Sequence, residues 1–321
     1  MQTPSEKILI IKHGAFGDLI QSDGVLHDIK NHYPQAEIVL LTNPAFESLM
    51  LRCPHIDRII SDDRAPLWQP GKLLALSKRL KEEAFTQVID LQNSDRSRLY
   101  HRYLLPHKNW IGRIPGPEPE SGLKGQLALL KQANIEIKHA YTPDVSWMVD
   151  NISFLLSQHK VKTPYIALIP GCSAAHPEKR WPFYKELATA LLNQGFDVIN
   201  ILGPDELEMA KYLPGHCLTK QHGLFSWFEL AGILHQACFV IGNDTGPSHV
   251  ASCLGKSGLA LFGGHSSISR SEIRRGDFRA LKVSDLHQLS ADTVLAAVLP
   301  KLPTPNQHRA TLKPQPSYSV R

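Results

Sequence analysis

Short apolar runs alternate with stripes of helical period along this chain of 321 residues. Lys7 to Lys12 (KILIIK) is an uninterrupted β-branched run, the pattern of a strand buried on both faces. Gly14 to Gly17 turns the chain. From Asp18, the residues Leu19, Ile20, Val25, Leu26 and Ile29 fall on one face of a helix, and Pro34 lies just beyond it. Glu37 to Thr42, Ile56 to Ile60, Gln87 to Leu91 and Asn109 to Arg113 predict further strands, with a helix at Leu73 to Glu83. Strands that alternate with helices predict a parallel sheet covered on both faces.

The pattern restarts after a helix and linker at Asn151 to Thr163. Strands are predicted at Tyr165 to Ile169, Asp197 to Leu202, Cys238 to Gly242 and Gly258 to Phe262. Helices are predicted at Pro182 to Gln194, Asp205 to Tyr212, Ser226 to Gln236 and Pro247 to Leu254. The expected organisation is α/β, with one doubly wound domain over residues 1–160 and a second over 161–300. Residues 301–321 hold several prolines and no acidic residue, so a disordered tail is expected there. Two such domains place a ligand in the cleft between them, at the carboxyl ends of strands.

Composition narrows the class. Hydrophobic residues make up 42% and charged residues 20%, which excludes disordered, collagen-like and coiled-coil chains. The net charge of +5 suits an anionic ligand or a membrane surface but is too weak to argue for nucleic acid. No apolar run reaches the roughly 18 residues that cross a bilayer. Met1 to Lys7 carries no basic segment followed by an apolar stretch, so a cytoplasmic protein is expected. Its five cysteines, without paired spacing, are expected to be reduced. The 16 histidines show neither HxxxH nor HExxH spacing, so no metal site is expected, and the sequence has neither a GxSxG elbow nor a Walker loop.

Four strand ends could carry chemistry. His13-Gly14-Ala15-Phe16-Gly17-Asp18 pairs two glycines with a carboxylate; Gly14 and Gly17 permit a tight turn and close ligand approach, or simply a plain turn with Asp18 as a helix cap. The dinucleotide fingerprint would need a third glycine. Pro170-Gly171-Cys172-Ser173 through Lys179-Arg180-Trp181-Pro182 offers amides and cations to a diphosphate, or is a solvated loop anchored by Trp181. Cys172 reads as a packed thiol. Gly203-Pro204-Asp205-Glu206 either caps a helix or accepts hydrogen bonds from ribose hydroxyls. Asn243-Asp244-Thr245-Gly246-Pro247-Ser248-His249 runs from a strand into a helix N-terminus, a natural phosphate seat, with His249 one turn further on; the bland alternative is capping with a core histidine.

In this order and spacing the four loops resemble family 9 glycosyltransferases, the lipopolysaccharide heptosyltransferase family, over about residues 7–265. The matching residues are Gly14 to Asp18, Pro170-Gly171 with Lys179 to Pro182, Gly203 to Glu206 and Asp244 to His249. The resemblance implies the GT-B fold, two Rossmann-like domains facing across a cleft, and an inverting transfer from ADP-heptose to a lipid-linked inner-core acceptor without a metal or other cofactor. It implies Asp18 as general base, Lys179 on the diphosphate, Glu206 on the ribose, and Asp244, Thr245, Gly246 and His249 around the phosphate and sugar. One departure stands out. Where the family has Gly-Pro-Thr or similar after the last strand, this chain has Phe262-Gly263-Gly264-His265-Ser266-Ser267.

On the acceptor side, Arg96, Arg98, Arg102, Lys108 and Arg113 are interleaved with Tyr100, Tyr103 and Trp110. They form a solvated face, or bind an anionic lipid-linked acceptor or the inner-membrane surface. No nucleic acid partner is expected. A non-catalytic nucleotide-sugar-binding protein and a nucleotide-sugar epimerase are the competing readings on the same fold; a pure binder has no need of a base such as Asp18.

Overall fold

The computed structural model describes residues 6–112, 122–218 and 225–304. Arg113 and positions 305–321 of the expected tail lie outside the described residues.

The first half builds a parallel sheet from β1 (Lys7–Ile11), β2 (Glu37–Thr42), β3 (Arg58–Ser61), β4 (Gln87–Asp90) and β5 (Trp110–Ile111), in the order β3-β2-β1-β4-β5. The second half repeats the plan with β6 (Tyr165–Ile169), β7 (Asp197–Asn200), β8 (Phe239–Asn243), β9 (Gly258–Phe262) and β10 (Phe278–Lys282), ordered β10-β9-β8-β6-β7 and again all parallel. The winding direction reverses between β1 and β4 and between β6 and β8. Crevices at such reversals lie outside the carboxyl ends of the strands. The loops after β1, β6 and β8 are three of the four singled out from sequence.

Alternation of side chains along each strand divides the core. Ile8 and Ile10 of β1 join Tyr165, Ala167 and Ile169 of β6 in one buried cluster that is continuous through Met148, Ile152 and Leu155. Leu9 and Ile11 face a separate cluster in the first half, and Ile166 and Leu168 face another in the second. The two halves therefore share apolar core as well as a cleft. The linking segment is pinned by carboxylates of the helix Asp23–His32. Asp28 accepts backbone N–H bonds from Lys138, His139 and Ala140 at 2.9–3.1 Å, and Asp23 accepts from Asp144 N and Trp147 Nε1.

Several predicted elements change. The single helix expected from Asp18 is two, Phe16–Gln21 and Asp23–His32. They part at Ser22, whose hydroxyl donates to the Asp18 carbonyl at 2.7 Å and competes with the regular ladder. Asp205 to Tyr212 is not an α-helix but a 3-10 helix, Pro204–Lys211, in which only Met209 is buried; so little packing gives no advantage to the α geometry. Strand β10 (FRALK) was not expected, because only Phe278 of its five residues is buried and charged positions hide the pattern. The helices Asp95–Leu99, Leu123–Gln132 and Ala291–Val298 were also not expected.

Candidate active site between the two halves

A cleft of about 1280 Å³ opens between the carboxyl ends of the two sheets. Gly17, Asp18, Lys179, Glu206, Asp244, Thr245, Gly246 and His249 all line it. A carboxylate from the first half thus meets a cradle built more than 150 positions later. The contact is direct. The helix Phe16–Gln21 crosses the helix Gly246–Cys253 so closely that a Cβ on Gly17 would stand 2.8 Å from His249 Cδ2, and one on Gly246 would stand 2.3 Å from Phe16 Cδ1. Each glycine makes room for a ring of the opposite half. Gly14, at φ +128°, likewise leaves space for Phe46 and does not line the cleft.

Asp18 is exposed, with its Oδ2 accepting from Ala15 N at 3.2 Å. On the opposite wall Asp244 collects the cradle. Its Oδ2 takes the Lys179 ammonium at 2.8 Å, its Oδ1 takes the Ser271 hydroxyl at 3.2 Å, and His249 Nε2 lies 3.7 Å away. Burial alone would raise the Asp244 pKa, but hydrogen bonds and charge from His249 and Lys179 outweigh it and hold the carboxyl well below the usual range. His249 is buried and its Nδ1 has no hydrogen-bond partner among the described residues. Thr245 stands at the N-cap position of the helix Gly246–Cys253 without a side-chain capping bond, and Thr245, Gly246 and Pro247 line the cleft at the helix's positive end.

Glu206 reaches back over its own turn to accept from Gly203 N at 2.7 Å. Its carboxylate then lies where a Gly171 side chain would begin: a Cβ there would meet all three carboxylate atoms at 1.8–1.9 Å. Gly171 is therefore a glycine for close approach, to protein. Cys172 is buried, which pushes its thiol up despite Arg180 nearby; this fits packing rather than nucleophilic chemistry.

Sequence reasoning missed the organiser of these loops. Asn243, fully buried at the end of β8, donates through Nδ2 to Pro170 O and Gly171 O at 3.0 Å. Its Oδ1 accepts from Trp181 N and the Tyr184 hydroxyl at 3.2 Å. One side chain thereby ties the loop after β6, the Lys179 turn and the Asp244 turn together. Also missed was the aromatic wall of Phe225, Trp227 and Phe228. Trp227 packs on Phe16 with ring centroids 4.4 Å apart, and the Arg52 guanidinium covers Phe228 at 3.9 Å while pairing with Asp150. An aromatic pair at a helix start was visible in the sequence, but its exposure to a cleft was not.

Among the described residues, the acceptor-side Arg96, Arg98 and Arg102 do not line this cleft. Arg96 turns inward, donating to the Tyr100 hydroxyl and Ala65 O at 2.6 Å. Arg98 is exposed and paired with Asp95, and Arg102 is exposed over the Tyr103 ring.

The family model described as glycosyltransferase family 9 (heptosyltransferase) matches residues 73–275. The chain belongs to this family. Curated relatives include lipopolysaccharide heptosyltransferase 2 of Escherichia coli, 27% identical, and that of Salmonella typhimurium, 25% identical; each alignment covers 80% of this chain and 82% of the relative. Among solved structures, the family 9 glycosyl transferase of Veillonella parvula superposes with a TM-score of 0.76 at 17% identity, covering 93% of this chain and 97% of that one. The E. coli ADP-heptose heptosyltransferase II gives 0.68 at 20% identity over 91% and 97%. These likenesses establish the GT-B arrangement for this family 9 glycosyltransferase. A Listeria monocytogenes protein described as a putative UDP-N-acetylglucosamine 2-epimerase shares the fold at a TM-score of 0.58 and 14% identity.

Proposed function

We propose that this family 9 enzyme transfers heptose from ADP-heptose to a lipid-linked lipopolysaccharide inner-core acceptor, with inversion and without a metal ion. The observation that carries the reading is the shared cleft. Asp18 sits one residue from the Gly17–His249 contact, so an acceptor hydroxyl beside Asp18 is also beside the donor cradle. The acceptor oxygen attacks the anomeric carbon from the side opposite the diphosphate and passes its proton to Asp18. The bond from the anomeric carbon to the phosphate oxygen breaks, and ADP leaves.

Charge on the departing diphosphate falls to Lys179 and to the amides of Thr245 and Gly246. Lys179 donates to Asp244 Oδ2 at 2.8 Å and more weakly to its backbone carbonyl at 3.5 Å, which leaves one of its three N–H donors for phosphate. Glu206 accepts from the ribose hydroxyls, and the Phe225–Phe228 wall offers apolar surface to the base. Arg98 and Arg102, which lie outside the cleft, meet anionic groups of the acceptor away from the reacting hydroxyl. The curated relatives carry the name lipopolysaccharide heptosyltransferase, which supports the sugar and the acceptor class.

The test is incubation with ADP-heptose and a lipid-linked core acceptor, followed by mass spectrometry. Free ADP together with a lipid heavier by one heptose is expected. Nucleotide binding without turnover would favour a binding protein. Donor conversion without acceptor would favour an epimerase.

A further inference from the structure

Two buried polar side chains behind the Asp18 helix take no part in the chemistry above. Ser22, fully buried, stands at the joint between the helices Phe16–Gln21 and Asp23–His32. Its hydroxyl donates to the Asp18 carbonyl at 2.7 Å, beside the bond from Ser22 N to the same oxygen at 3.1 Å. Gln126 comes from the helix Leu123–Gln132, 104 positions further on, and donates through Nε2 to Ser22 Oγ at 2.9 Å. The direction of this chain of bonds is fixed. An amide N–H only donates, so Ser22 Oγ accepts it, and the one hydroxyl proton is left for Asp18 O. Gln126 is itself buried, and its Oε1 has no hydrogen-bond partner among the described residues. A buried acceptor left unpaired lowers stability, and an apolar side chain of similar length would avoid the loss. Packing therefore does not account for a glutamine here, whereas its donor does.

We infer that Gln126 and Ser22 are positioning residues for Asp18: together they set the angle of the joint, and so the place of the carboxylate beside the donor cradle. A serine hydroxyl bonded to the carbonyl four residues back bends a helix. Past the joint the ladder resumes, with Leu26 N on Ser22 O at 2.9 Å, so without the hydroxyl bond the two helices would straighten toward one axis. Asp18 lies four residues from Ser22, about 6 Å along the helix. A change of about 10° at the joint therefore moves it by about 1 Å, a misplacement that can cost about a hundredfold in rate. The bond from Ala15 N to the carboxylate lies within the same short turn and moves with it. Lys179 and Asp244 hold each other in the second half, and Glu206 is held by Gly203 N, so ADP affinity does not follow the joint. The inference rests on the proposed role of Asp18 as base.

Steady-state kinetics, ADP calorimetry and thermal melting of the full chain test it, on Ser22→Ala, Gln126→Met and Asp18→Asn. Ser22→Ala should lower kcat by about ten- to a hundredfold. Gln126→Met should lower it by about three- to tenfold, since the serine bond then stands without its support. Both should keep wild-type ADP affinity, and Gln126→Met should melt no lower than wild type because it also removes the unpaired acceptor. In an Asp18→Asn background the loss from Gln126→Met should shrink to under about twofold, because the group it positions is gone. An unchanged kcat in either single variant, a fall in both Tm and ADP affinity in Gln126→Met, or an equal loss in the Asp18→Asn background would each overturn the inference. Slow turnover by Asp18→Asn with normal turnover by the other two would leave the base and remove its positioning residues. Normal turnover by Asp18→Asn would sink the base reading, and the inference with it.

Discussion

Replacing Gly171 with alanine tests the role proposed for the Glu206 carboxylate. The backbone at Gly171 does not require positive φ, so the alanine itself is tolerated. Its Cβ, however, would stand 1.8–1.9 Å from the Glu206 carboxylate. The carboxylate must retreat by about 1.5 Å or more to reach an ordinary contact near 3.5 Å, and its 2.7 Å bond from Gly203 N breaks. A hydrogen bond to a charged group contributes about 1.5–3 kcal/mol. Gly203 is only half-buried, so water can replace the carboxylate there, and alanine recovers about 0.4–1 kcal/mol by restricting the unfolded chain. The net stability loss should be about 1 kcal/mol, or about 2 °C in Tm for a chain of this size.

Nucleotide affinity should fall much further. If Glu206 binds ribose from its present position, losing that charged hydrogen bond weakens ADP binding by about 10- to 150-fold. Calorimetry with ADP measures this directly. In a Glu206→Ala background the Gly171 substitution should add less than about 0.5 kcal/mol, because the group it displaces is gone. Wild-type ADP affinity in Gly171→Ala, or full additivity in the double variant, would refute the assignment of Glu206.

Four further outcomes are expected. Asp18→Asn should keep ADP affinity and lower turnover by about two to four powers of ten, and a near-normal rate in product-release assays would remove Asp18 as base. Lys179→Ala should weaken ADP binding by about tenfold or more in calorimetry. Asn243→Ala leaves four buried partners without their bonds and should cost about 3–5 kcal/mol in urea unfolding; a loss under about 1 kcal/mol would show that the loops hold without it. The Asp244 carboxyl is held below its unfolded value, so its contribution to stability is full at neutral pH and fades as pH falls below about 4 toward the folded value. Melting curves of wild type and Asp244→Asn should therefore converge on acidification.

How much of this was legible varies by element. Strands β1, β2, β6 and β9 kept their expected residues to within one position, because strands buried on both faces write themselves as continuous apolar runs. β10 did not, since an edge strand with one buried residue has no such run. The break at Ser22 depends on a hydroxyl choosing a carbonyl, which periodicity does not register. The chemical residues were the easiest part of the site. Asp18, Lys179, Glu206, Asp244 and His249 all lie in the loops and first helical turns that follow strands and line the cleft, the region where a doubly wound sheet presents side chains to a ligand.

What the sequence concealed is how those residues are assembled. Gly14 and Gly17 suggested a loop open to a ligand; in the structure the space belongs to Phe46 and His249. The same holds for Gly246 under Phe16 and for Gly171 under Glu206. A missing side chain signals that something comes close, without saying whether it is ligand or protein. Only the partner's position decides, and these partners lie between about 30 and 230 positions away. The consequence for catalysis is physical. With His249 seated on Gly17, the Asp244–His249 loop and Asp18 are registered by ring-to-backbone contact. A methyl at Gly17 would stand 2.8 Å from His249 Cδ2 and must push the Asp244–His249 loop and the Asp18 helix apart, so on the proposed roles Gly17→Ala should lower both turnover and nucleotide affinity, and wild-type values for both would refute the registration.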